Sequence, residues 1–265
     1  MTESVVFKNV SIIFGDNPQK ALAMVDAGKS RDEIGAETGL VLGVADATLS
    51  ITEGEILVLM GLSGSGKSTL LRAVNGRAPV VRGEVGVKAG SGRVNPYAAT
   101  PKALRDFRMH TVSMVFQQFA LLPWRTVADN VGFGLELAGM PDGERKARVA
   151  EQLELVNLTK WANRKVNELS GGMQQRVGLA RAFATGAPIL LMDEPFSALD
   201  PLIRTRLQDE LLEFQRRLKK TIIFVSHDLD EAFRIGNRIA IMEGGRIIQC
   251  GTPQDIVKNP ANQYV

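Results

Sequence analysis

The segment Gly61-Leu62-Ser63-Gly64-Ser65-Gly66-Lys67-Ser68 (the phosphate loop, residues 61–68) has the spacing of a phosphate-binding motif. Its glycines allow successive backbone N–H groups to turn toward phosphate oxygens, Lys67 can reach the terminal phosphates, and the Ser68 hydroxyl can coordinate Mg²⁺. A strand-like run, Glu55 to Met60, precedes the motif, and a helix-like run, Lys67 to Val74, follows it. This context predicts a nucleotide site, and the alternative is a glycine-rich connection that binds nothing.

Two carboxylates end an apolar run at residues 189–194, Ile-Leu-Leu-Met-Asp-Glu. Asp193 could hold the Mg²⁺ shell through a water molecule, and Glu194, which points the opposite way in an extended chain, could orient and polarise an attacking water. The alternative is that both acids only solvate the end of a strand. Because the phosphate loop is present in the same chain, the catalytic interpretation is favoured.

Three other side chains lie at or just after the ends of predicted strands. His227 follows the apolar run Thr221 to Val225, at the carboxyl edge where doubly wound sheets bind ligands, and a neutral imidazole there could hydrogen-bond a γ-phosphate. Gln117 could place its amide oxygen on the metal, and Phe14 could stack on an adenine ring. The alternatives are a structural histidine, a surface amide and a core aromatic, and for Phe14 the sequence by itself favours the core.

The run Ser170-Gly171-Gly172 precedes a helix-like segment, although glycine is a poor helix former. A turn that binds nothing would explain it. The same residues would also make a helix start without bulky side chains, where free N–H groups and the positive end of the helix dipole attract a phosphate.

The elements that must position these residues begin with two strands, predicted over Val5–Phe14 and Val41–Ile51. Between them, a helix over Gln19–Val25 and a second one that starts at the capping-box spacing of Ser30 to Glu33 predict a helical insertion in a hairpin, roughly residues 17–40.

Two longer helices are predicted from Thr126 to Met140 and from Glu144 to Leu158, with a break at Pro141-Asp142-Gly143. They suggest a helical subdomain of roughly residues 118–180. Further strands are predicted over Val112–Gln117, Ile189–Met192, Thr221–Val225 and Arg238–Met242. A helix is predicted from Asp200-Pro201, with Leu207, Leu211, Phe214 and Leu218 on one face. The predicted elements end with a hairpin turn at Glu243-Gly244-Gly245 and a short terminal helix from Thr252-Pro253. This alternation is typical of parallel strands joined by helical crossovers.

The composition limits the classes of protein that this chain could belong to. Its 265 residues are 45% hydrophobic with a formal charge of +3, which suits a globular protein and does not indicate nucleic-acid binding, because the basic residues are scattered. Cys250 is the only cysteine, so the sequence predicts no internal disulfide and a reducing compartment, by default the cytosol. The uncharged stretch Ala182–Met192 is far shorter than the ~20 residues of a spanning helix, and no export signal is expected.

Six stretches in order, GLSGSGKS, VFQQ, LSGGM, LLMDEP, SALD and SHD, resemble those of the nucleotide-binding subunits of ATP-binding cassette transporters. The resemblance covers nearly the whole chain as one nucleotide-binding domain, residues 1–265. It implies an α/β P-loop NTPase fold with a mostly parallel core sheet, an antiparallel β subdomain and an α-helical subdomain. It also implies ATP and Mg²⁺ as cofactors, and a head-to-tail homodimer in which LSGG of one copy covers the nucleotide of the other.

The candidate residues follow from the motifs and the resemblance together. They are Phe14, Gly61, Ser63, Gly64, Ser65, Gly66, Lys67, Ser68 and Thr69 for ATP; Lys67, Glu194 and His227 for catalysis; Ser68, Gln117 and, through water, Asp193 for Mg²⁺; Ser170, Gly171 and Gly172 in trans; and Asp200 at the dimer seam.

The insertion NPQKALAMVDAGKSRDEIGAETGLVLGV, with LSGGM and QQFALLPWRTV, resembles the ATPase subunits of bacterial importers for glycine betaine, choline or proline betaine. This implies uptake powered by ATP-driven dimer closure at the cytoplasmic face of the plasma membrane, with permease subunits docked near Gln117 and the helical lobe and, indirectly, a solute-binding protein. Phe14 stands where the family usually has Tyr, and Met173 where it usually has Gln. The sequence ends at NPANQYV without the paired CBS domains of many members, so ionic-strength sensing through such domains is not expected.

Two other functions would use the same motifs. A soluble cassette ATPase that acts as a clamp in DNA repair or translation usually has two cassettes or long coiled-coil insertions, and this chain shows one cassette and neither insertion. A nucleotide-binding regulator without hydrolysis is disfavoured by the presence of Glu194 and His227.

Overall fold

The computed structural model describes residues 2–116, 120–197 and 199–265. Its strands are β1 (Glu3–Phe14), β2 (Val41–Thr52), β3 (Ile56–Met60), β4 (Val80–Ala89), β5 (Gly92–Val94), β6 (Val112–Val115), β7 (Ile189–Asp193), β8 (Thr221–Ser226), β9 (Arg238–Glu243) and β10 (Arg246–Gly251). Its α-helices are α1 (Leu22–Asp26), α2 (Arg31–Thr38), α3 (Lys67–Val74), α4 (Pro101–His110), α5 (Val127–Leu137), α6 (Asp142–Leu155), α7 (Gly171–Ala184), α8 (Pro201–Leu218), α9 (Leu229–Ile235) and α10 (Pro253–Lys258).

The chain divides into two compact units, Met1–Phe107 with Thr221–Val265, and Arg108–Lys220. The first unit contains an antiparallel sheet with the strand order β2-β1-β4-β5. It also contains the strands β10-β9-β3-β8, in which β3 runs parallel to both β8 and β9, and β10 closes a hairpin with β9. The second unit contains the parallel pair β6 and β7.

The apolar composition of β3 follows from its place between two parallel neighbours. Its residues from Ile56 to Leu59 are at most 2% exposed, because both faces of a central parallel strand are covered. β8 is buried along its whole length. The register pairs Met60 with Ser226, so β3 and β8 end at the same level, and the residues that follow them share one edge of the sheet.

Helical segments occupy the chain between β1 and β2, where the sequence predicts an insertion. Ser30 caps α2 in a capping box with Glu33, and Gly39 ends the helix in the left-handed conformation. The first insertion helix is divided into a 3-10 turn over Pro18–Ala21 followed by α1. Both pieces pack on a hydrophobic cluster of the insertion and the flanking strands, formed by Ile13, Ala21, Val25, Ile34, Leu40, Leu42 and Ala45.

In the second unit, α5, α6 and α7 contact one another. Thr126 caps α5 in a capping box with Asp129. The predicted break at Pro141-Asp142-Gly143 is too long, because Asp142 and Gly143 already belong to α6. Phe214 on α8 packs edge-to-face against Phe183, with ring centroids 5.5 Å apart. Leu218, predicted on the same buried face, is 39% exposed because it is the last residue of the helix.

The sequence analysis missed β4, β5 and α4, which lie between the phosphate loop and β6. Within residues 2–116, 120–197 and 199–265, no helix combines the length and apolar character that crossing a bilayer requires.

Candidate functional site

The phosphate loop joins β3 to α3, and its shape depends on glycine. The backbone φ angle is +145° at Gly61, +79° at Gly64 and +101° at Gly66, values that L side chains rarely adopt. A Cβ at Gly61 would lie 2.1 Å from the Met242 carbonyl oxygen, and one at Gly66 would lie 2.4 Å from the Gly43 carbonyl oxygen. The loop can therefore approach the neighbouring backbone this closely only with glycine at both positions.

Two polar side chains of the phosphate loop are buried. Lys67 is 4% exposed, and its Nζ donates to the carbonyl oxygens of Gly61 and Leu62 at 2.8 Å each. The buried hydroxyl of Ser65 has no hydrogen-bond partner among the described residues. Because a buried ammonium and an unsatisfied buried hydroxyl both gain from an anionic partner, the loop is suited to bind a phosphate.

Phe14 lies beside the helix that follows the phosphate loop, and its ring is 39% exposed. A Cβ built on Gly43 would lie 2.9 Å from Phe14 Cε2 and 3.0 Å from Thr69 Cγ2, so the ring and the first turn of α3 both lie against Gly43. The core interpretation of Phe14 is therefore wrong. Gly43, which the sequence analysis did not single out, provides the space that brings the ring close to the loop.

His227 lies at the same edge of the sheet as the start of the phosphate loop. Met60 and Ser226 are paired at the ends of β3 and β8, and Gly61 and His227 are the next residues in the chain. The His227 side chain is exposed. Asp228 caps α9 directly after it, which fixes the backbone on that side of the histidine.

The two predicted carboxylates end β7 in the second unit. Asp193 is buried, and Glu194 has a φ of +45°, an uncommon conformation for a residue other than glycine. The Glu194 carbonyl oxygen accepts hydrogen bonds from the Ser197 backbone N–H at 3.3 Å and hydroxyl at 3.0 Å. A residue other than glycine keeps this conformation only where its surroundings hold it, as the two Ser197 hydrogen bonds do here. Gln117, two residues beyond the end of β6, lies outside the described residues.

Ser170 and Gly171 form the start of α7. Ser170 is the N-cap, and its hydroxyl accepts a hydrogen bond from the Met173 N–H at 3.4 Å. Gly171 is exposed, and a Cβ there would lie 3.7 Å from Leu199 Cδ2, an ordinary contact. The described part of the chain therefore gives no packing reason for glycine at position 171.

Gly172, in contrast, has a packing reason. A Cβ at Gly172 would lie 2.7 Å from Ile203 Cγ2 on α8. Asp200 caps α8 by accepting a hydrogen bond from the Ile203 N–H at 3.0 Å. Gly172 thus allows the start of α7 and the start of α8, with Asp200, to lie side by side.

The candidate metal donors fit an ion that binds together with a nucleotide. No cluster of three or more His, Cys, Asp or Glu side chains occurs in the parts of the chain that the structure describes. Ser68 and Asp193 offer a hydroxyl and a carboxylate, the hard oxygen donors that Mg²⁺ prefers, and Mg²⁺ takes much of its shell from water and substrate phosphates. Each donor, Ser68 in the first unit and Asp193 in the second, is therefore of a type that suits Mg²⁺ carried by a nucleoside triphosphate.

The strand–loop–helix arrangement of the phosphate loop beside parallel strands is that of the P-loop class of nucleotide-binding proteins. The family model described as ABC transporter matches residues 44–197. The chain belongs to the ABC transporter family, and the predicted fold class is confirmed.

Similar proteins show which members of the family the chain resembles. It is 51% identical to the glycine betaine/proline betaine transport system ATP-binding protein ProV of Escherichia coli strain K12, over 100% of this chain and 65% of that protein. It is 49% identical to the glycine betaine transport ATP-binding protein OpuAA of Bacillus subtilis strain 168, over 97% of this chain and 61% of that protein. The chain thus spans less than two thirds of the length of these relatives.

A solved structure supports the assignment to the ABC transporter family. The ATP-binding cassette MJ0796, in a dimeric post-hydrolysis state bound to ADP and Pi, superimposes with a TM-score of 0.77 at 30% identity, covering 94% of this chain and 98% of that one.

Proposed function

We propose that this chain binds and hydrolyses ATP and thereby powers a bacterial importer for quaternary amines such as glycine betaine, choline or proline betaine. The observation that carries the proposal is the 51% identity to a glycine betaine/proline betaine transport protein over the whole chain. The aligned region includes the insertion at residues 17–40 as well as the cassette.

In this proposal, the phosphate loop binds the triphosphate through its backbone N–H groups, the Lys67 ammonium and the Ser65 hydroxyl, and Phe14 stacks on the adenine. Ser68, Gln117 and, through water, Asp193 would hold Mg²⁺, which when bound neutralises phosphate charge.

Glu194 is proposed to orient the attacking water and accept its proton, and His227 to hydrogen-bond the γ-phosphate. Phosphoryl transfer depends mainly on positioning and on charge stabilisation. The left-handed backbone of Glu194, held by Ser197, supports this role because it fixes the direction in which the carboxylate leaves the strand.

A second copy of the chain is proposed to complete each ATP site with Ser170, Gly171 and Gly172, and Asp200 would lie at the seam. The dimeric state of MJ0796 supports this arrangement. Permease subunits would dock on the helical subdomain, roughly residues 118–180, at the cytoplasmic face of the membrane, and a solute-binding protein would act through the permease.

The catalytic part of the proposal is tested with Glu194→Gln, which removes the proposed base at nearly constant shape. We expect MgATP affinity within about twofold of the parent, ATPase activity lowered at least about hundredfold, and a dimer that accumulates with MgATP in light scattering. Glu213→Gln, on the exposed face of α8, is the matched control and should keep parental activity. Parental hydrolysis by Glu194→Gln would remove this residue from the base role.

The transport part is tested by uptake of radiolabelled glycine betaine, choline and proline betaine in the native bacterium. Deletion of the gene should lower the uptake of at least one of these solutes, and the parent chain, but not Glu194→Gln, should restore it. Unchanged uptake of all three, together with increased sensitivity to DNA damage or to translation inhibitors, would favour the soluble clamp.

A further inference from the structure

Arg31, in the insertion, contacts the phosphate loop. It is the first residue of α2, and its Nη1 donates a hydrogen bond to the carbonyl oxygen of Gly64. A Cβ at Gly64 would lie 3.6 Å from the same nitrogen, so the guanidinium lies directly against the loop backbone. The two residues are 33 positions apart in the sequence, and the contact depends on the folded insertion.

The bond from Arg31 fixes one peptide group of the phosphate loop. In the Gly64–Ser65 peptide, the carbonyl oxygen accepts from Arg31, and the Ser65 N–H donates to the Leu62 carbonyl oxygen at 3.1 Å. Because a planar trans peptide points its C=O and N–H in opposite directions, holding both ends sets the orientation of the whole group. The next peptide group carries the Gly66 N–H, and in such loops successive backbone N–H groups of this region are turned toward a phosphate.

Other carbonyl oxygens of the loop are held by donors from the loop itself and from the β9–β10 turn. Lys67 donates to Gly61 and Leu62, and the Gly245 N–H donates to the Ser65 carbonyl oxygen at 3.1 Å. Arg31 adds a donor from the insertion. A loop whose carbonyl groups are held in place before the ligand arrives loses less freedom when it binds a phosphate.

The backbone of Arg31 is fixed independently of its side chain. The Glu33 N–H donates to Ser30 Oγ at 3.3 Å, and the Ser30 N–H donates to the Glu33 carboxylate at 2.7 Å. Ile34, one turn along the helix, is fully buried in the hydrophobic cluster of the insertion. A substitution of Arg31 should therefore leave α2 folded.

We propose that Arg31 is a positioning residue that couples the insertion to nucleotide binding at the phosphate loop. Its guanidinium holds the Gly64–Ser65 peptide in the phosphate-binding orientation and adds a permanent positive charge beside the ligand. The inference rests on the proposed function, because it requires a nucleotide at the loop. Coupling is reciprocal, so a bound nucleotide must in turn stabilise the insertion.

The test compares the full chain with Arg31→Met, Arg31→Lys and Lys29→Met. Lys29 is the matched control, because it belongs to the same insertion and carries the same charge, but its Nζ pairs with the Glu37 carboxylate at 2.6 and 2.7 Å. In Arg31→Met we expect the Kd for MgADP and the KM for ATP to rise about tenfold, which corresponds to about 1.4 kcal/mol, with kcat within about twofold. Arg31→Lys should recover most of the affinity, and Lys29→Met should stay within about twofold of the parent.

Hydrogen exchange tests the coupling itself. MgADP should slow exchange of the α2 amides in the parent, and this protection should be lost in Arg31→Met. Parental nucleotide affinity in Arg31→Met, equal weakening by Lys29→Met, or no MgADP-dependent protection of α2 in a parent that binds MgADP would each overturn the inference. A parent that neither binds MgADP nor hydrolyses ATP would instead overturn the proposed function.

Discussion

Substituting Gly171 by Ala shows whether this glycine serves the fold of its own chain or the ATP site of a second copy. The added methyl would lie 3.7 Å from Leu199 Cδ2, and Gly171 is the first residue of α7 and has no left-handed φ, so the fold accommodates Ala. Because Ala favours a helix over Gly by up to about 1 kcal/mol, less near a helix end, we expect the free energy of unfolding to rise by about 0.5 kcal/mol. For comparison, Ala at Gly172 would place Cβ 2.7 Å from Ile203 Cγ2 and should cost about 1–3 kcal/mol by overpacking.

Despite this gain in stability, Gly171→Ala should lose function, because the methyl would stand where the proposed partner's phosphate approaches the helix start. We expect ATPase activity to fall at least about tenfold, equivalent to about 1.4 kcal/mol. Gly143→Ala is the control: Gly143 is exposed in the first turn of α6, and apart from its chain neighbours and the helix's own backbone, no atom of the described residues lies within 4 Å of the added Cβ. Urea unfolding and ATPase measured against protein concentration give both quantities.

Two results would refute this reasoning about Gly171. A stable Gly171→Ala with parental ATPase would refute the role in trans. A Gly171→Ala that unfolds more easily than the parent, while Gly143→Ala does not, would show that glycine at position 171 serves the chain's own fold.

Two further predictions concern nucleotide affinity and helix stability. Phe14→Ala should raise the KM for ATP about tenfold and leave kcat within about twofold, because the proposed role of the ring is stacking. It should cost little stability, because the ring is exposed. Phe14→Tyr should keep the parental KM, and ATP titrations of the ATPase activity of both variants check these expectations. Thr126→Ala should lower the free energy of unfolding by about 1 kcal/mol at pH 7, because it removes the cap of α5. The Thr126 hydroxyl donates to the Asp129 carboxylate at 2.6 Å and lowers the pKa of that carboxyl. The stabilisation from this hydrogen bond is therefore fully present above the unfolded pKa of about 3.9, and it is lost as the pH falls through the lower pKa of the folded state. The difference between Thr126→Ala and the parent, measured by urea unfolding at pH 7 and pH 3, should therefore shrink in acid.

The sequence predicted those elements whose signals are local. The buried run of β3, the glycines of the phosphate loop and the capping box of α2 each lie within a few consecutive residues, and all three were located correctly. β4 was missed because its run Val-Val-Arg-Gly-Glu-Val-Gly-Val-Lys-Ala mixes charges and glycines with valines. It becomes a strand through antiparallel pairing with β1, a contact between residues about 75 positions apart that no local pattern contains.

The candidate site residues also came from local motifs. The motifs selected Lys67, Glu194 and Ser170 as candidates, but they could not show that Phe14 is exposed, since that depends on Gly43 lying beneath the ring. Nor could they show that Arg31 reaches Gly64, because this contact needs the insertion to be folded first. The left-handed backbone of Glu194 is likewise a property of the turn that Ser197 holds, and nothing in the residue type suggests it.

The glycines of the two motifs show why a pattern alone does not establish a ligand site. Gly61 and Gly66 would be required in an empty loop, because their Cβ atoms would collide with the carbonyl oxygens of Met242 and Gly43. The fold alone therefore explains why these two positions are glycine, and phosphate binding would be a second reason. Gly171 is the opposite case: within the described residues the fold would accept a side chain there, and a helix would be more stable with one. A residue that costs stability and serves no internal contact is best explained by something outside the chain, and the start of α7 is for this reason the stronger argument for a second copy.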